Sequence, residues 1–151
     1  MANLNTTNPR KFFTTEEEHS IVTAIKAAEK NTSGEIRLHI EKNVKGDIFK
    51  EAVKVFNKLE MFKTEKRNAS LILLDLANHR FTVIGDKGIN ESVSENFWYD
   101  IVDTMTAEFK KGKFAEGLSK GILKIGEKLK EYFPYQSDDI NELPDEISKG
   151  E

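Results

Sequence analysis

The side chains best suited to chemistry in this sequence are acids. Glu35 opens an alternating segment directly after a Thr32-Ser33-Gly34 turn. Asp86 directly follows a strand-like segment, Arg80 to Gly85, and is itself followed by Lys87-Gly88. Asp100 and Asp103 are spaced so that both project from one face of a helix. Hard oxygen donors of this kind suit calcium, magnesium or manganese rather than zinc. Ligand sites in α/β proteins favour strand ends, where loops converge and backbone groups are free. Each acid also has a plain structural reading. Glu35 can cap or pair with Arg37 or Arg67, Asp86 can be an ordinary turn residue, and Asp100 and Asp103 can form a solvated helix face. His39, inside the first alternating segment, reads as a hydrogen-bonded strand residue before it reads as a ligand.

Other chemistries are excluded more firmly. The chain has no cysteine, which removes disulfides, thiolate catalysis, Fe–S clusters and cysteine zinc sites. His19, His39 and His79 are isolated and form no H-x-x-x-H zinc pair. No G-x-G-x-x-G or G-x-S-x-G occurs, and Gly112 to Ser119 fails as a P-loop because Leu118 stands where lysine is required. Asp86 to Glu91 carries oxygen donors without EF-hand spacing or its distal glutamate. With 23 Lys+Arg against 26 Asp+Glu there is no basic excess to neutralise phosphates, so nucleic acid is not an expected partner.

The elements that must position these acids follow from periodicity. Thr14 with Glu17, or Thr15 with Glu18, makes a capping box ahead of Ile21, Val22, Ile25 and Ala28 at helical spacing. Asn31 to Gly34 stops that helix. Ile36, Leu38 and Ile40 alternate with Glu35, Arg37, His39 and Glu41, giving a strand with one apolar and one polar face. Gly46-Asp47 opens a second helix carrying Ala52, Val55, Phe56 and Leu59. Ser70 to Leu76 is nearly all apolar and reads as a central strand buried on both faces. Arg80 to Gly85 follows the Asn78-His79 turn as its antiparallel partner. Two helices, near 94–111 and 114–132, finish the domain. Gly117 and Gly121 weaken the second by about 1 kcal/mol each, a cost that close packing against a neighbour offsets.

The order α-β-α-β-β-α-α implies a small sheet between helices, in an α/β class chain. With 151 residues, 38% hydrophobic and 32% charged, one domain is expected. Its limits are placed at 14–134, with an N-terminal extension over 1–13 and an acidic tail over 135–151. From Asp138 to Glu151 the tail holds six acids and one base. It reads as a solvated extension pinned by Ile140, Leu143 or Ile147, or as an acidic arm that docks on a basic surface. The polar start, Met1 to Lys11, contains no signal-like apolar region, and Leu71 to Leu74 is too short to span a membrane. A cytoplasmic location and no membrane span are therefore expected.

Three segments in order resemble the TPM domain family. The first is Thr32-Ser33-Gly34-Glu35-Ile36. The second runs from Arg67-Asn68 through Leu71-Ile72-Leu73-Leu74 to Arg80 and Ile84-Gly85-Asp86-Lys87-Gly88-Ile89. The third is Phe109-Lys110-Lys111-Gly112-Lys113-Phe114-Ala115-Glu116-Gly117-Leu118. The resemblance covers about residues 14–132. It implies a three-layer α/β/α sandwich with a small mixed sheet of about four strands. The fourth strand is expected near Asn43–Val44 or just after Gly88. It also implies a divalent cation, usually calcium, held where loops cross at one end of the sheet. Glu35 and Asp86 match the motif positions. Asp100 and Asp103 rest mainly on the helix-face argument, and Asn68 can fix a loop or supply a carbonyl oxygen. Many relatives carry a signal peptide and membrane anchor; this chain is expected to be a stand-alone version.

Three functions remain in play. The first is a metal-binding regulatory or interaction module, in which carboxylates clamp crossing loops and occupancy selects the ordered form for an unidentified protein partner. The others are a scaffold for assembly or repair of a larger complex, and a weak metal-dependent acid phosphatase. The module ranks first because no nucleophile or phosphate cradle is legible.

Overall fold

The computed structural model of the protein describes residues 2–136 and 141–150. Helix α1 (Thr15–Glu29) begins at the expected capping box. Thr14 Oγ1 accepts from the Glu17 amide at 3.1 Å, and Glu17 Oε1 accepts from the Thr14 amide at 2.9 Å. Strand β1 (Glu35–Glu41) follows, then α2 (Ile48–Lys58), whose cap Asp47 accepts from the amides of Phe49 and Lys50. Strands β2 (Ala69–Asp75) and β3 (Arg80–Gly85) form the antiparallel hairpin, turning at His79 with φ of 52°.

A single turn, α3 (Lys87–Asn90), and a 3-10 segment, Glu95–Phe97, lead into α4 (Tyr99–Phe109) and α5 (Phe114–Leu129). The helix expected over 94–111 is thus split, its first turn tightened into the 3-10 segment. The close packing expected of the two glycines is present. A Cβ on Gly117 would meet the Phe109 ring at 2.6 Å, and one on Gly121 would meet Met105 Cγ at 2.5 Å.

The sheet has four strands in the order β3-β2-β1-β4, with β1 parallel to β2 and β2 antiparallel to β3. Its fourth strand, β4 (Ser148–Lys149), lies parallel to β1 on the side away from β2. This corrects both expected positions. Val44 is instead buried in the core beside α2, and the residues after Gly88 form α3. A two-residue strand has no alternation to detect, and it lies within the acidic stretch that reads as solvated.

Ile36, Leu38, Ile40, Ile72 and Leu74 pack on one face, against α1, α4 and α5. Ala69, Leu71, Leu73 and Ile84 pack on the other, against Ala52, Val55 and Phe56 of α2. The architecture is therefore the three-layer α/β/α sandwich.

The polar face of β1 is not solvated: Glu35, Arg37 and His39 are all buried. The C-terminal segment crosses this face. Leu143 is buried with Val44 and α2, the Gly150 amide donates to Ile40 O at 2.8 Å, and His39 Nδ1 meets Ser148 Oγ at 2.8 Å. Lys149 reaches Glu18 at 2.7 Å, and Arg10 Nη1 donates to Gly150 O at 3.1 Å. Of the residues expected to pin the tail, Leu143 is buried, Ile147 packs on the larger core and Ile140 lies outside the described residues.

A candidate carboxylate clasp at one end of the sheet

The start of β1, the end of α1 and the C-terminal segment meet at one point. Glu35 is the first residue of β1 and only 3% exposed. Glu29 ends α1, and its Oε2 accepts from the Ile36 amide at 2.9 Å. Asp145 arrives from the tail. One carboxylate oxygen from each of Glu29, Glu35 and Asp145 lies within 4.8 Å of the others. The Glu142 amide donates to Glu35 Oε1 at 2.5 Å, and Glu142 Oε2 accepts from the Glu65 amide at 3.2 Å, so Glu142 ties the tail both to β1 and to the loop before β2. A cavity of about 260 Å³ opens beside it, lined also by Lys26, Lys30, Thr32 and Tyr135.

Three acids this close cannot all ionise without a counter-charge. Burial, first of all, raises Glu29 far above the ordinary carboxylate range, and hydrogen bonds to Asp145 and Glu35 raise it further. Burial also raises Glu35, while the bond from Glu29 and the Glu142 amide pull it down. Glu29 therefore carries the shared proton, with Glu35 and Asp145 as its acceptors. Asp145 Oδ2 accepts from Asn141 Nδ2 at 3.0 Å, and Asp145 Oδ1 is buried with no partner among the described residues apart from the proton shared with Glu29. Three converging carboxyls that hold a proton in place of a counter-charge are a donor set that fits a hard cation.

Of the acids singled out in the sequence, Glu35 alone enters this cluster. Asn68 borders it: its Nδ2 donates to Ser33 Oγ at 3.2 Å, and its amide donates to Thr64 Oγ1 at 3.2 Å. Asp86 stands at the same end of the sheet, but across β2, so about two strand spacings of 4.8 Å separate its strand from β1. It takes a bidentate pair from Arg67, Nε at 2.6 Å and Nη2 at 2.9 Å, and accepts from the Lys87 amide at 2.8 Å. Asp100 is 66% exposed at the side chain and faces Lys128 at 3.4 Å, while Asp103 is exposed on α4.

The sequence reasoning missed Glu29 and Asp145. Glu29 had one local signal: an acid in the last turn of a helix opposes the macrodipole, which favours cations there. Asp145 had none, because its role depends on where the tail docks.

The comparisons agree with this architecture. Residues 6–128 match the model of the TPM domain family. The NMR structure of BA42 protein from the psychrophilic bacterium Bizionia argentinensis is 47% identical, with a TM-score of 0.90 over 96% of this chain and all of that one. The solution structure of an N-terminal domain from P. gingivalis shares the fold at 19% identity, with a TM-score of 0.62 over 82% of each chain. No curated protein matches the chain. With the family model spanning most of its length and the sandwich in place, the chain belongs to the TPM domain family.

Proposed function

We propose that the protein is a divalent-cation-responsive binding module whose cation site is the clasp of Glu29, Glu35 and Asp145. The observation that carries this reading is the convergence of one carboxylate oxygen from each of Glu29, Glu35 and Asp145 within 4.8 Å, at a place where burial raises Glu29 and so favours a proton that a cation would displace. Calcium, magnesium or manganese fits these oxygen donors, with water completing the coordination. A bound cation supplies the positive charge that lets all three acids ionise in one place. The three ligands come from α1, β1 and the tail, so occupancy favours the state in which the tail lies across β1. The responsive surface is then the α2 side of β1, covered when the tail is docked and open when it is released. Through this surface the module would engage or release a protein partner.

Titrating the metal-stripped protein with calcium, and separately with magnesium, tests the reading by melting temperature and residue-resolved NMR. A cation that binds only the folded form stabilises it by about 2.7 kcal/mol at a hundredfold excess over Kd. The expected result is a raised Tm with shifts at Glu29, Glu35 and Asp145. Asp145→Asn and Glu35→Gln should weaken both effects. No change in Tm at millimolar calcium, magnesium or manganese would overturn the proposal.

A further inference from the structure

At the opposite end of the sheet lies a second cavity, of about 580 Å³, formed where β2 ends, β3 begins and α4 gives way to α5. This volume falls within the range of pockets that hold small organic ligands. Its inner wall is aromatic. Phe81 meets Phe109 edge-on at 5.0 Å between ring centres, Phe109 meets Phe114 at 5.1 Å, and Phe114 meets Phe12 at 5.6 Å. Leu4 to Thr7 of the N-terminal arm form an outer wall. That arm is held by the Asn3 amide donating to Phe12 O at 2.6 Å. Leu4 lines the cavity although it is 52% exposed, a large apolar side chain without a full covering.

The charges at this cavity are unbalanced. Among the described residues Asp75 is its one acidic lining residue, fully buried and committed to Arg80 Nε at 2.9 Å, the Val44 amide and Asn78. Arg80 uses Nε and Nη2 on Asp75, Val44 O and Gly46 O, leaving Nη1 without a hydrogen bond among the described residues. Lys110 lines the cavity too and is exposed, with no ion pair among the described residues. Hydroxyls of Thr6, Thr7 and Thr106 complete the polar fringe. An aromatic interior with an uncompensated cationic edge complements a molecule with an apolar, ring-bearing body and one anionic end.

We infer that this cavity binds a small amphipathic organic anion of the aryl-alkyl carboxylate class, its ring against Phe81, Phe109 and Phe114 and its carboxylate toward Lys110 and Arg80. The site is separate from the carboxylate clasp and carries the opposite charge preference. The N-terminal arm closes over the ligand, with Leu4 covering its apolar body.

The test uses the full chain and two probes of equal shape, 4-phenylbutyrate and its neutral amide, followed by amide-resolved NMR titration. Saturable shifts are expected at Leu4, Thr6, Phe81 and Lys110. The carboxylate should bind about fivefold more tightly than the neutral amide, the gain of one partly exposed charge pair. Lys110→Gln, a change at an exposed position, should remove most of that difference by weakening the carboxylate much more than the neutral amide. Leu4→Gln should weaken both probes. No saturable shifts at millimolar probe, shifts centred away from this cavity, or equal affinity for the two probes in the wild-type protein would each overturn the inference.

Discussion

Glu29→Gln separates the electrostatics of the clasp from its packing. Glu29 is raised well above its ordinary value near 4.5, by burial first and then by its bonds to Asp145 and Glu35. The folded protein therefore keeps a proton that the unfolded chain releases as pH rises through that ordinary value. The sign follows directly: the stabilisation is fully present below the unfolded pKa and is lost as pH climbs toward the folded one. One retained proton makes metal-free stability fall by about 1.4 kcal/mol per pH unit. Between about pH 5.5 and about pH 7.5 the loss is about 2.7 kcal/mol, or about 5–10 °C in Tm for a domain of this size. Glu35 is raised in the same direction, by burial first, while the bonds from Glu29 and the Glu142 amide hold it down.

Glutamine keeps the side-chain shape and can donate as the protonated acid does, but it does not titrate. Denaturant unfolding in chelator at a series of pH values should show the variant with a clearly shallower slope. At about pH 7.5 it should be more stable than wild type, by up to the loss just worked out. In calcium, the wild-type slope should flatten, because the cation replaces the proton. Parallel slopes for the two proteins in chelator would refute the shared proton on Glu29. A flattened variant with an undiminished calcium response would instead keep the proton and remove the cation from this site.

Three further outcomes test how the clasp is held. Asp86→Asn breaks the bidentate pair with Arg67 at a side chain that is 7% exposed, and should cost about 1–3 kcal/mol by denaturant unfolding while leaving the calcium-induced rise in Tm unchanged. A lost calcium response would instead place Asp86 among the ligands. Gly88→Ala places a Cβ 2.1 Å from Lys66 O and 2.6 Å from Arg67 O, both main-chain atoms, so unfolding should show a loss of about 1–3 kcal/mol or more. Leu143→Ala removes a buried anchor of the tail, and limited proteolysis should cut near the C-terminus while the rest of the domain keeps its near-UV circular dichroism.

The sequence made most of the scaffold legible because its determinants are local. Thr14 and Glu17 stand at the spacing that one turn of helix demands, and Ser70 to Leu76 reads as central because it is nearly all apolar, in keeping with the burial of all seven residues of β2. The β2–β3 hairpin follows from the short Asn78-His79 turn. What escaped was set by docking. Alternation along β1 predicts a solvated polar face, and that inference holds only when nothing covers it. Here Glu35, Arg37 and His39 are covered by a segment from the far end of the chain, whose acids make it look solvated. The same error hid the fourth strand.

Asp145 and the rest of the tail also explain why acids can lie against this face at all. The tail brings its own partners: Ser148 to His39, Lys149 to Glu18, and the Glu142 amide to Glu35. Most of its attachment is thus directional, main-chain or ionic, with Leu143 as the principal apolar anchor. A segment held in this way has little hydrophobic area to keep it docked, so its balance between bound and free depends on local charge. On the proposed reading, a proton or cation gained or lost at the clasp shifts that balance. The tail's acidity, which first marks it as a solvated extension, is thus the feature through which the proposed cation site would make its docking responsive.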